Sequence, residues 1–507
     1  MRVHPIWMNG KHAHLYKPAC MLYERARSNL AERLIFKTFR RKIGPRTSLI
    51  ILIIFLILLW QLVWFVWYAP SEEMPRSSWI DEDINSPDCT NANLLVQYAH
   101  AGYKPVHKVT RLPTQLYKAG YCVRYNHWKI DSKYLNQEPV DIPILFAVHS
   151  TPEYFKYINE QIKTWDGLIS VVLVIPYDLS NSEMDFFRMQ VILEGLDRLK
   201  ALDNYDRVAL HLLFQVYGSD SNNCPDLIYN EPDSSTLWDR SYAELMLRDF
   251  QRLCSSHDLY PINIARNIAR MAVKTPLFIS GDIENIFAWN YEQRMRLFAY
   301  DYLVKENRTK EVLVHRRFEV DKREAVPRTL SALKMLYARR RAVVFHKFVF
   351  GIGHEIPSLA SWLLLGKDDP GPTSVFRTLP YYNEFWEPQY VARNDASFPL
   401  HDENFPFRFR SNTHLANELC RAGFNFSVVR DLFTVHRGIK FKEKKQFAQF
   451  LKRAADSGQL KEIANEFMDR LDRMYPETLN SCPKQFRNFH WSRNYNAPLT
   501  PLMPQKV

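Results

Sequence analysis

The sequence lacks the patterns that would place it in several common protein classes. It has no Cys-x-x-Cys pair and no His and Cys cluster with zinc-binding spacing, so a structural zinc site is not expected. It also has no internal repeat and no long low-complexity tract. With 46% hydrophobic and 14% aromatic residues, the 507-residue chain can bury a large core, as one domain or as a few smaller ones. A disordered or fibrous protein is therefore excluded.

Outside its N-terminal tail, the chain lacks the basic excess that a nucleic-acid-binding protein needs. The formal net charge is +12, but residues 1–47 contain eleven Lys and Arg against Glu24 and Glu32. The tail therefore carries +9 and the rest of the chain only +3. Because the excess is confined to the tail, we expect no nucleic-acid partner.

Charge is also absent from Ser48 to Tyr68, where Gln61 is the only strongly polar side chain. As a helix this segment would span about 30 Å, the thickness of the hydrocarbon core of a bilayer. A buried core helix rarely runs so long without charge. A cleaved signal peptide has a shorter leader, a shorter apolar stretch and a small-residue cleavage site. The segment is therefore predicted to be a transmembrane signal anchor.

The flanks of this segment predict its orientation. The basic run "RRKIGPR" precedes it and the acidic run "PSEEMPRSSWIDEDIN" follows it, and basic residues are retained on the cytoplasmic side. We predict a single-pass type II protein. Its parts are a cytoplasmic tail (1–47), the anchor (48–68), a stem and N-terminal extension (69–140) and a lumenal domain (141–507).

The cysteines agree with an oxidising compartment. Cys20 lies in the tail, and an even set of six follows the anchor: Cys89, Cys122, Cys224, Cys254, Cys420 and Cys482. Six cysteines allow fifteen pairings, among which the sequence does not choose, and the alternative is that several are free buried thiols. Sequons at Asn307 and Asn425 offer glycosylation sites, although the apolar run "AGFNFSVV" argues against a glycan on Asn425.

From about Asp141 the sequence has the pattern of an α/β domain. The runs "DIPILFAVHS", "LISVVLVIPY" and "RVALHLLFQVY" are short, apolar and rich in β-branched residues, as buried parallel strands are. The segments "PEYFKYINEQIKTW" and "YPINIARNIARMAV" have the spacing of amphipathic helices. This succession predicts a parallel sheet covered by helices.

Two carboxylates follow the next apolar run, "PLFISGDIENIF". If Leu277 to Ser280 form a buried strand, Asp282 and Glu284 lie just beyond its carboxyl end, where open α/β sheets bind ligands. Two carboxylates separated by one residue can hold a divalent cation, which in turn can hold a diphosphate. The alternative is a solvated turn before a helix, with Asp282 as the N-cap.

Residues 141–445 resemble glycosyltransferase family 49, the family of beta-1,4-glucuronyltransferase and of the second catalytic domain of LARGE-type enzymes. The resemblance rests on ordered blocks that include "TWDGLISVVLVIP", "YPINIARNIAR", "TPLFISGDIENIF", "VFHKFVFGIGHEIPSLASW", "FWEPQYVA", "HDENF", "ELCRAGFNFSVV" and "FTVHRGIK". It implies a type II Golgi protein with a GT-A fold, a doubly wound nucleotide-binding domain that uses Mn²⁺ with UDP-sugars.

The resemblance also implies a metal site. The Asp-x-Asp motif of the family falls on Asp282, Ile283 and Glu284, so this sequence departs from it at the second acid. By the resemblance, Asp282 contacts the nucleotide side, and Glu284 ligates Mn²⁺ together with His436. Carboxylate and imidazole are suitable Mn²⁺ ligands. The alternative for His436 is an ordinary core or surface histidine.

Two further pairs are candidates for the chemistry. Asp402 and Glu403 match the acidic pair of the family, and either can serve as the base that takes the proton of the acceptor hydroxyl. Their alternative role is to orient a loop, by capping or by pairing with Arg408 or Arg410. Residues Arg266 and Asn267 are candidates for holding the donor, with a solvated helix face as the alternative.

The sequence thus predicts a metal-dependent Golgi glycosyltransferase that moves a sugar from a UDP-sugar to a hydroxyl of a glycan acceptor. Glucuronic acid is the favoured sugar and N-acetylglucosamine the second choice. The alternative function is a catalytically silent relative that acts as a lumenal binding or scaffold protein. The change to Glu284 in the metal motif is the feature that supports it.

Overall fold

The computed structural model describes residues 106–178, 183–202, 204–216, 222–232, 260–442 and 456–483. The described residues do not include the predicted tail and anchor, residues 69–105 of the predicted stem and N-terminal extension, Cys89 or Cys254. Within the described ranges, no single helix is both long and apolar enough to cross a bilayer. Two short helices, Lys347–His354 and Leu359–Leu365, reach that length and composition only together, across an 84° bend.

The described residues form fourteen strands and nine α-helices. The strands are β1 (Val106–Leu112), β2 (Gln115–Lys118), β3 (Tyr121–Trp128), β4 (Leu145–Ser150), β5 (Leu168–Asp178), β6 (Val208–Gln215), β7 (Leu227–Pro232), β8 (Leu277–Ser280), β9 (Ile286–Phe287), β10 (Glu311–Val320), β11 (Ala342–Val344), β12 (Val375–Leu379), β13 (Gln389–Arg393) and β14 (Asn425–Arg437). The helices are α1 (Ile158–Thr164), α2 (Glu183–Leu202), α3 (Ile262–Met271), α4 (Tyr291–Ala299), α5 (Leu330–Ala338), α6 (Lys347–His354), α7 (Leu359–Leu365), α8 (Thr413–Arg421) and α9 (Gln459–Met474).

Twelve of these strands form one mixed sheet, in the order β12-β14-β10-β13-β8-β4-β5-β6-β3-β2, with β11 beside β10 and β9 beside β14. Its centre, β8-β4-β5-β6, is parallel, as the alternation of strands and helices predicted. Strands β13, β12, β3 and β2 pair antiparallel, so the sheet as a whole is mixed rather than parallel throughout. Strands β1 and β7 form a separate antiparallel ribbon.

The central strands form where the sequence is apolar on both faces. Nearly every residue of β4, β5 and β6 whose burial is described is buried, and helices cover the sheet, which is why these runs show no alternation of polar residues. Strand β3, which precedes the predicted domain start at residue 141, pairs with β6. The sheet therefore includes residues from before that boundary.

Two disulfides confirm that cysteines after the predicted anchor pair. Cys122 bonds to Cys224, and Cys420 bonds to Cys482. The second links α8 to the segment after α9. Asn425 begins β14 and is exposed, as Asn307 is, so burial does not keep a glycan from either sequon. The apolar neighbours of Asn425 point into the core, whereas Asn425 itself points outward.

Candidate functional site

The loop after β8 carries the predicted acid pair, and hydrogen bonds from α1 hold its backbone in place. The side-chain amide of Gln161, on α1, donates to the carbonyl oxygens of Ile283 and Asn285, both at 2.7 Å. The backbone N–H of Asn285 donates to the carbonyl of Asp282 at 3.1 Å. The short strand β9 follows rather than a helix, so Asp282 does not act as the N-cap of a following helix.

Gly281 follows β8 at a position where neighbouring side chains leave little space for a Cβ atom. A Cβ there would lie 3.1 Å from the ring of Phe146 and 3.2 Å from the amide nitrogen of Gln389. Phe146 belongs to an aromatic cluster with Trp165 and Phe287, whose ring centroids are 4.4 Å apart. The acid pair thus lies between two rigidly packed strand ends, β8 and β9.

Strand pairing brings His436 to this loop. Ile286 of β9 pairs with Val435 of β14, which places His436 beside the end of the acid loop. On the other side of β14, His436 pairs with Glu319 of β10. Since side chains alternate along a strand, Arg317 and Glu319 lie on the same face as His436. That face forms one wall of the candidate site, which we call the metal cleft.

Asp282 is bound to an arginine in this cleft. Its Oδ2 accepts a 2.8 Å hydrogen bond from Arg317, whose guanidinium also lies 3.8 Å from the ring centroid of Phe345. Burial works against ionisation, but Arg317 and Arg266 outweigh it and hold the pKa of Asp282 well below its usual range. Asp282 is therefore a carboxylate, and its side chain is still 37% exposed to the cleft.

Glu284 has the opposite electrostatic environment. Burial and the nearby negative charge of Asp282 raise the pKa of Glu284 to about 7. No other described residue donates a hydrogen bond to its carboxylate. A cation bound here would relieve the repulsion between the two acids, which is the arrangement expected of metal-binding carboxylates.

His436 is a neutral imidazole close enough to Asp282 to feel its negative charge. Burial lowers its pKa, and the charge of Asp282 acts on it. Its Nδ1 lies 3.3 Å from the carbonyl oxygen of Gly438. A hydrogen bond there would place the proton on Nδ1 and leave the Nε2 lone pair for a ligand.

The three predicted metal residues therefore fit a divalent cation chemically. Asp282 Oδ1, the Glu284 carboxylate and His436 Nε2 each lack a hydrogen-bond partner among the other described residues, and together they offer the oxygen and imidazole ligands that Mn²⁺ accepts. Across the described ranges, however, no three His, Cys, Asp or Glu side chains are already gathered as a metal centre. Cation binding at this site stays a prediction.

Other residues engage both members of the predicted base pair, Asp402 and Glu403. Both oxygens of Glu403 are engaged: Oε1 accepts from Tyr117 at 2.5 Å and from Asn267 at 3.0 Å, and Oε2 pairs with Lys118 at 2.9 Å. These contacts tie the loop after residue 400 to β2 and α3. This is the loop-orienting role that was the alternative for the pair.

Asp402 is also held on both oxygens. Its Oδ1 accepts from the backbone N–H of Asn404, and its Oδ2 lies 3.3 Å from Arg470 of α9. The partner is Arg470 and not Arg408 or Arg410. Asp402 lines a pocket of about 370 Å³ against α9, lined also by Asn404, Ile463, Glu466, Phe467, Asp469, Arg470 and Arg473.

The donor candidates on α3 are buried rather than solvated. Arg266 is 6% exposed and Asn267 is 2% exposed. Arg266 donates to the carbonyl of Ser411 at 2.7 Å, and Asn267 exchanges hydrogen bonds with the backbone of His401 at 2.9 Å. The charge of Asp282 acts on Arg266, so this arginine borders the metal cleft, whereas Asn267 faces the loop of Glu403.

Sequence reasoning missed other polar residues that line the cleft. Two of them, Arg317 and Glu319, lie on β10. The others are His346, which is the N-cap of α6, His354, which lies in α6, and Glu387, which precedes β13. The alternation of His315, Arg317 and Glu319 in "VHRRFEV" was a readable signal of one polar strand face. Nothing comparable in the local sequence marks His354 or Glu387.

Residues 143–476 match the family model described as glycosyl-transferase for dystroglycan, glycosyltransferase family 49. Beta-1,4-glucuronyltransferase 1 of Danio rerio is 27% identical over 224 residues, 44% of this chain and 49% of that protein, so the match spans about half of this relative. The Mus musculus protein of the same name is 27% identical over 356 residues, 67% of this chain and 77% of that protein. The Homo sapiens protein is 26% identical over 354 residues, with the same two shares.

The family match covers the central sheet, the acid loop and the strand that carries His436, and it agrees with the resemblance seen in the sequence blocks. The chain belongs to glycosyltransferase family 49.

Proposed function

We propose that this protein transfers glucuronic acid from a UDP-sugar to a hydroxyl group of a glycan acceptor on a glycoprotein. The names of the relatives support glucuronic acid, and the family description, which mentions dystroglycan, supports a glycoprotein acceptor. N-acetylglucosamine is the second choice for the sugar. The proposed setting is the Golgi membrane, with a type II anchor and the catalytic domain in the lumen.

One observation carries the proposal: the pairing of β9 with β14 brings His436 next to the loop of Asp282 and Glu284, although His436 is far from the acids in the sequence. In the proposal these three hold Mn²⁺, which supplies the positive charge that a diphosphate leaving group needs when the sugar–phosphate bond breaks. Arg317 fixes one oxygen of Asp282 and so directs the other toward the cleft. Arg266 adds a second positive charge at its border.

The silent relative remains the second candidate function. The ion pair between Asp282 and Arg317 favours it, because Arg317 already neutralises one of the two acids. A protein of that kind would bind its partner through the lumenal domain without turning over a donor.

Titration calorimetry of UDP, with Mn²⁺ and with chelator, tests the metal site. We expect Mn²⁺ to strengthen UDP binding, and Glu284→Ala to reduce the Mn²⁺-dependent affinity by at least about tenfold, because the cation loses a charged ligand. Glu284→Asp, which restores the usual acid of the family, should keep it. Asp301→Ala, at a carboxylate that is 62% exposed, is the matched control and should behave as the wild type.

Turnover separates the two candidate functions. Release of UDP from UDP-glucuronic acid, measured with a panel of p-nitrophenyl monosaccharides as acceptors, supports the transferase. Mn²⁺-dependent UDP binding without release of UDP from any UDP-sugar would support the silent relative. UDP binding that ignores Mn²⁺ would refute the metal site itself.

A further inference from the structure

Glu387 also lies in the metal cleft, and the proposed function gives this residue no role. It precedes β13, the antiparallel neighbour of β8, and the register Val391 to Ile279 brings its segment beside the acid loop. Its backbone N–H donates to the carbonyl of Gly353 at 2.7 Å, which fixes the residue against α6. A strand end and a helix end therefore hold Glu387 in position.

Only one oxygen of Glu387 is engaged. Its Oε2 accepts from the side-chain amide of Asn412 at 3.3 Å and lies 4.0 Å from His354 Nε2. No described residue donates a hydrogen bond to Oε1. The side chain is 22% exposed, so a molecule in the cleft can reach this oxygen.

The charges that act on Glu387 show which cleft it faces. Besides burial, which raises its pKa, the groups that act on it are Arg317, Arg266 and Asp282. These are the residues that surround the metal cleft. A carboxylate with a raised pKa holds a proton more readily than an ordinary carboxylate, which suits a base.

The residues named from the sequence as possible bases are less suited. Both oxygens of Glu403 and both oxygens of Asp402 already accept hydrogen bonds. A base needs a free lone pair directed at the proton that it removes. Asp282 and Glu284 also keep a free oxygen at the cleft, but both are assigned to the cation. The unpaired Oε1 of Glu319 belongs to a side chain that is 0% exposed, so a substrate does not reach it. Of the cleft acids in the described ranges, Glu387 is therefore the best placed as a base.

We propose that Glu387 is the catalytic base of the transfer reaction. Its Oε1 takes the proton of the acceptor hydroxyl while the acceptor oxygen forms a bond to the anomeric carbon. In the same step the bond from that carbon to the diphosphate oxygen breaks, and UDP leaves with the bonding electrons. Protonated Glu387 then returns its proton to solvent. This inference rests on the proposed function.

The test compares UDP release with UDP binding in the wild type and in single-residue variants of the full chain. The donor is UDP-glucuronic acid and the acceptors are the p-nitrophenyl monosaccharides. For Glu387→Gln we expect UDP release to fall by about 10²- to 10⁴-fold while Mn²⁺-dependent UDP affinity is unchanged. Added formate should restore part of the activity of Glu387→Ala, because a small carboxylate can fill the gap. Glu355→Gln, at an exposed carboxylate nearby, is the control and should retain full activity.

The outcomes distinguish this proposal from the one on which it depends. If Glu387→Gln keeps more than a tenth of the activity, or loses UDP affinity in parallel with activity, Glu387 is not the base. If wild type binds and turns over the donor but Glu403→Gln or Asp402→Asn is the inactive variant, the base lies in that pair. A wild type that releases no UDP refutes the proposed function, and the role of Glu387 with it.

Discussion

Removing the disulfide between Cys420 and Cys482 tests how the C-terminal helices are secured. The bond joins α8 to the segment after α9, across a sequence separation of 62 residues. Around it, Arg421 donates to Asp472 at 2.7 Å, and Arg470 donates to Glu418 at 2.9 Å. The same Arg470 reaches the loop of Asp402. The disulfide therefore secures contacts that position this loop.

The expected loss follows from loop closure. For a loop of this length, the entropy that a cross-link removes from the unfolded chain corresponds to about 4 kcal/mol at 25 °C. We expect the Cys420→Ala/Cys482→Ala variant to lose about that free energy of unfolding. For a domain of this size the melting temperature should fall by about 5 °C.

Urea denaturation of the purified wild type and double variant, without reductant, measures the difference. The matched control is Cys122→Ala/Cys224→Ala, whose sequence separation is 102 residues. Because the entropy grows only with the logarithm of loop length, the two variants should lose nearly equal amounts. A loss below about 1 kcal/mol for the first variant would contradict the loop-closure reasoning.

Two further predictions concern buried groups away from the cleft. Burial lowers the pKa of His211 to about 4, so between its ordinary pKa and this value only the unfolded chain is protonated there. Acidification from pH 6.5 to 4.5 should therefore remove about 2 kcal/mol of stability through this residue, and His211→Gln should show a correspondingly shallower pH dependence in urea denaturation. If the stability of His211→Gln depends on pH as steeply as that of the wild type, His211 does not contribute to acid destabilisation. Arg294 and Asp431 form a buried ion pair at 2.7 Å, so Arg294→Met should lose about 3–5 kcal/mol and Arg294→Met/Asp431→Asn should recover part of it. Equal melting temperatures for the single and double variants would count against a penalty from an unpaired charge.

The central strands and their helices were readable from the sequence. The predicted strand at Leu277–Ser280 is β8, and the apolar runs before it are β4, β5 and β6. They were readable because strands buried on both faces are continuous apolar runs, a local property. The antiparallel strands around them were not predicted, because pairing between distant segments depends on the whole sheet.

The candidate site likewise has features that the sequence determined and features that depend on the tertiary structure. The sequence determined that two acids follow a buried strand at its carboxyl end, and a motif resemblance added His436 to them. Only the tertiary structure decided that Arg317 binds Asp282, that Asp402 and Glu403 tie down a loop, and that Glu387 keeps a free oxygen in the cleft. Local patterns fix which strand ends carry acids. Which side chains meet there depends on the order β14-β10-β13-β8, in which segments remote in sequence become neighbours.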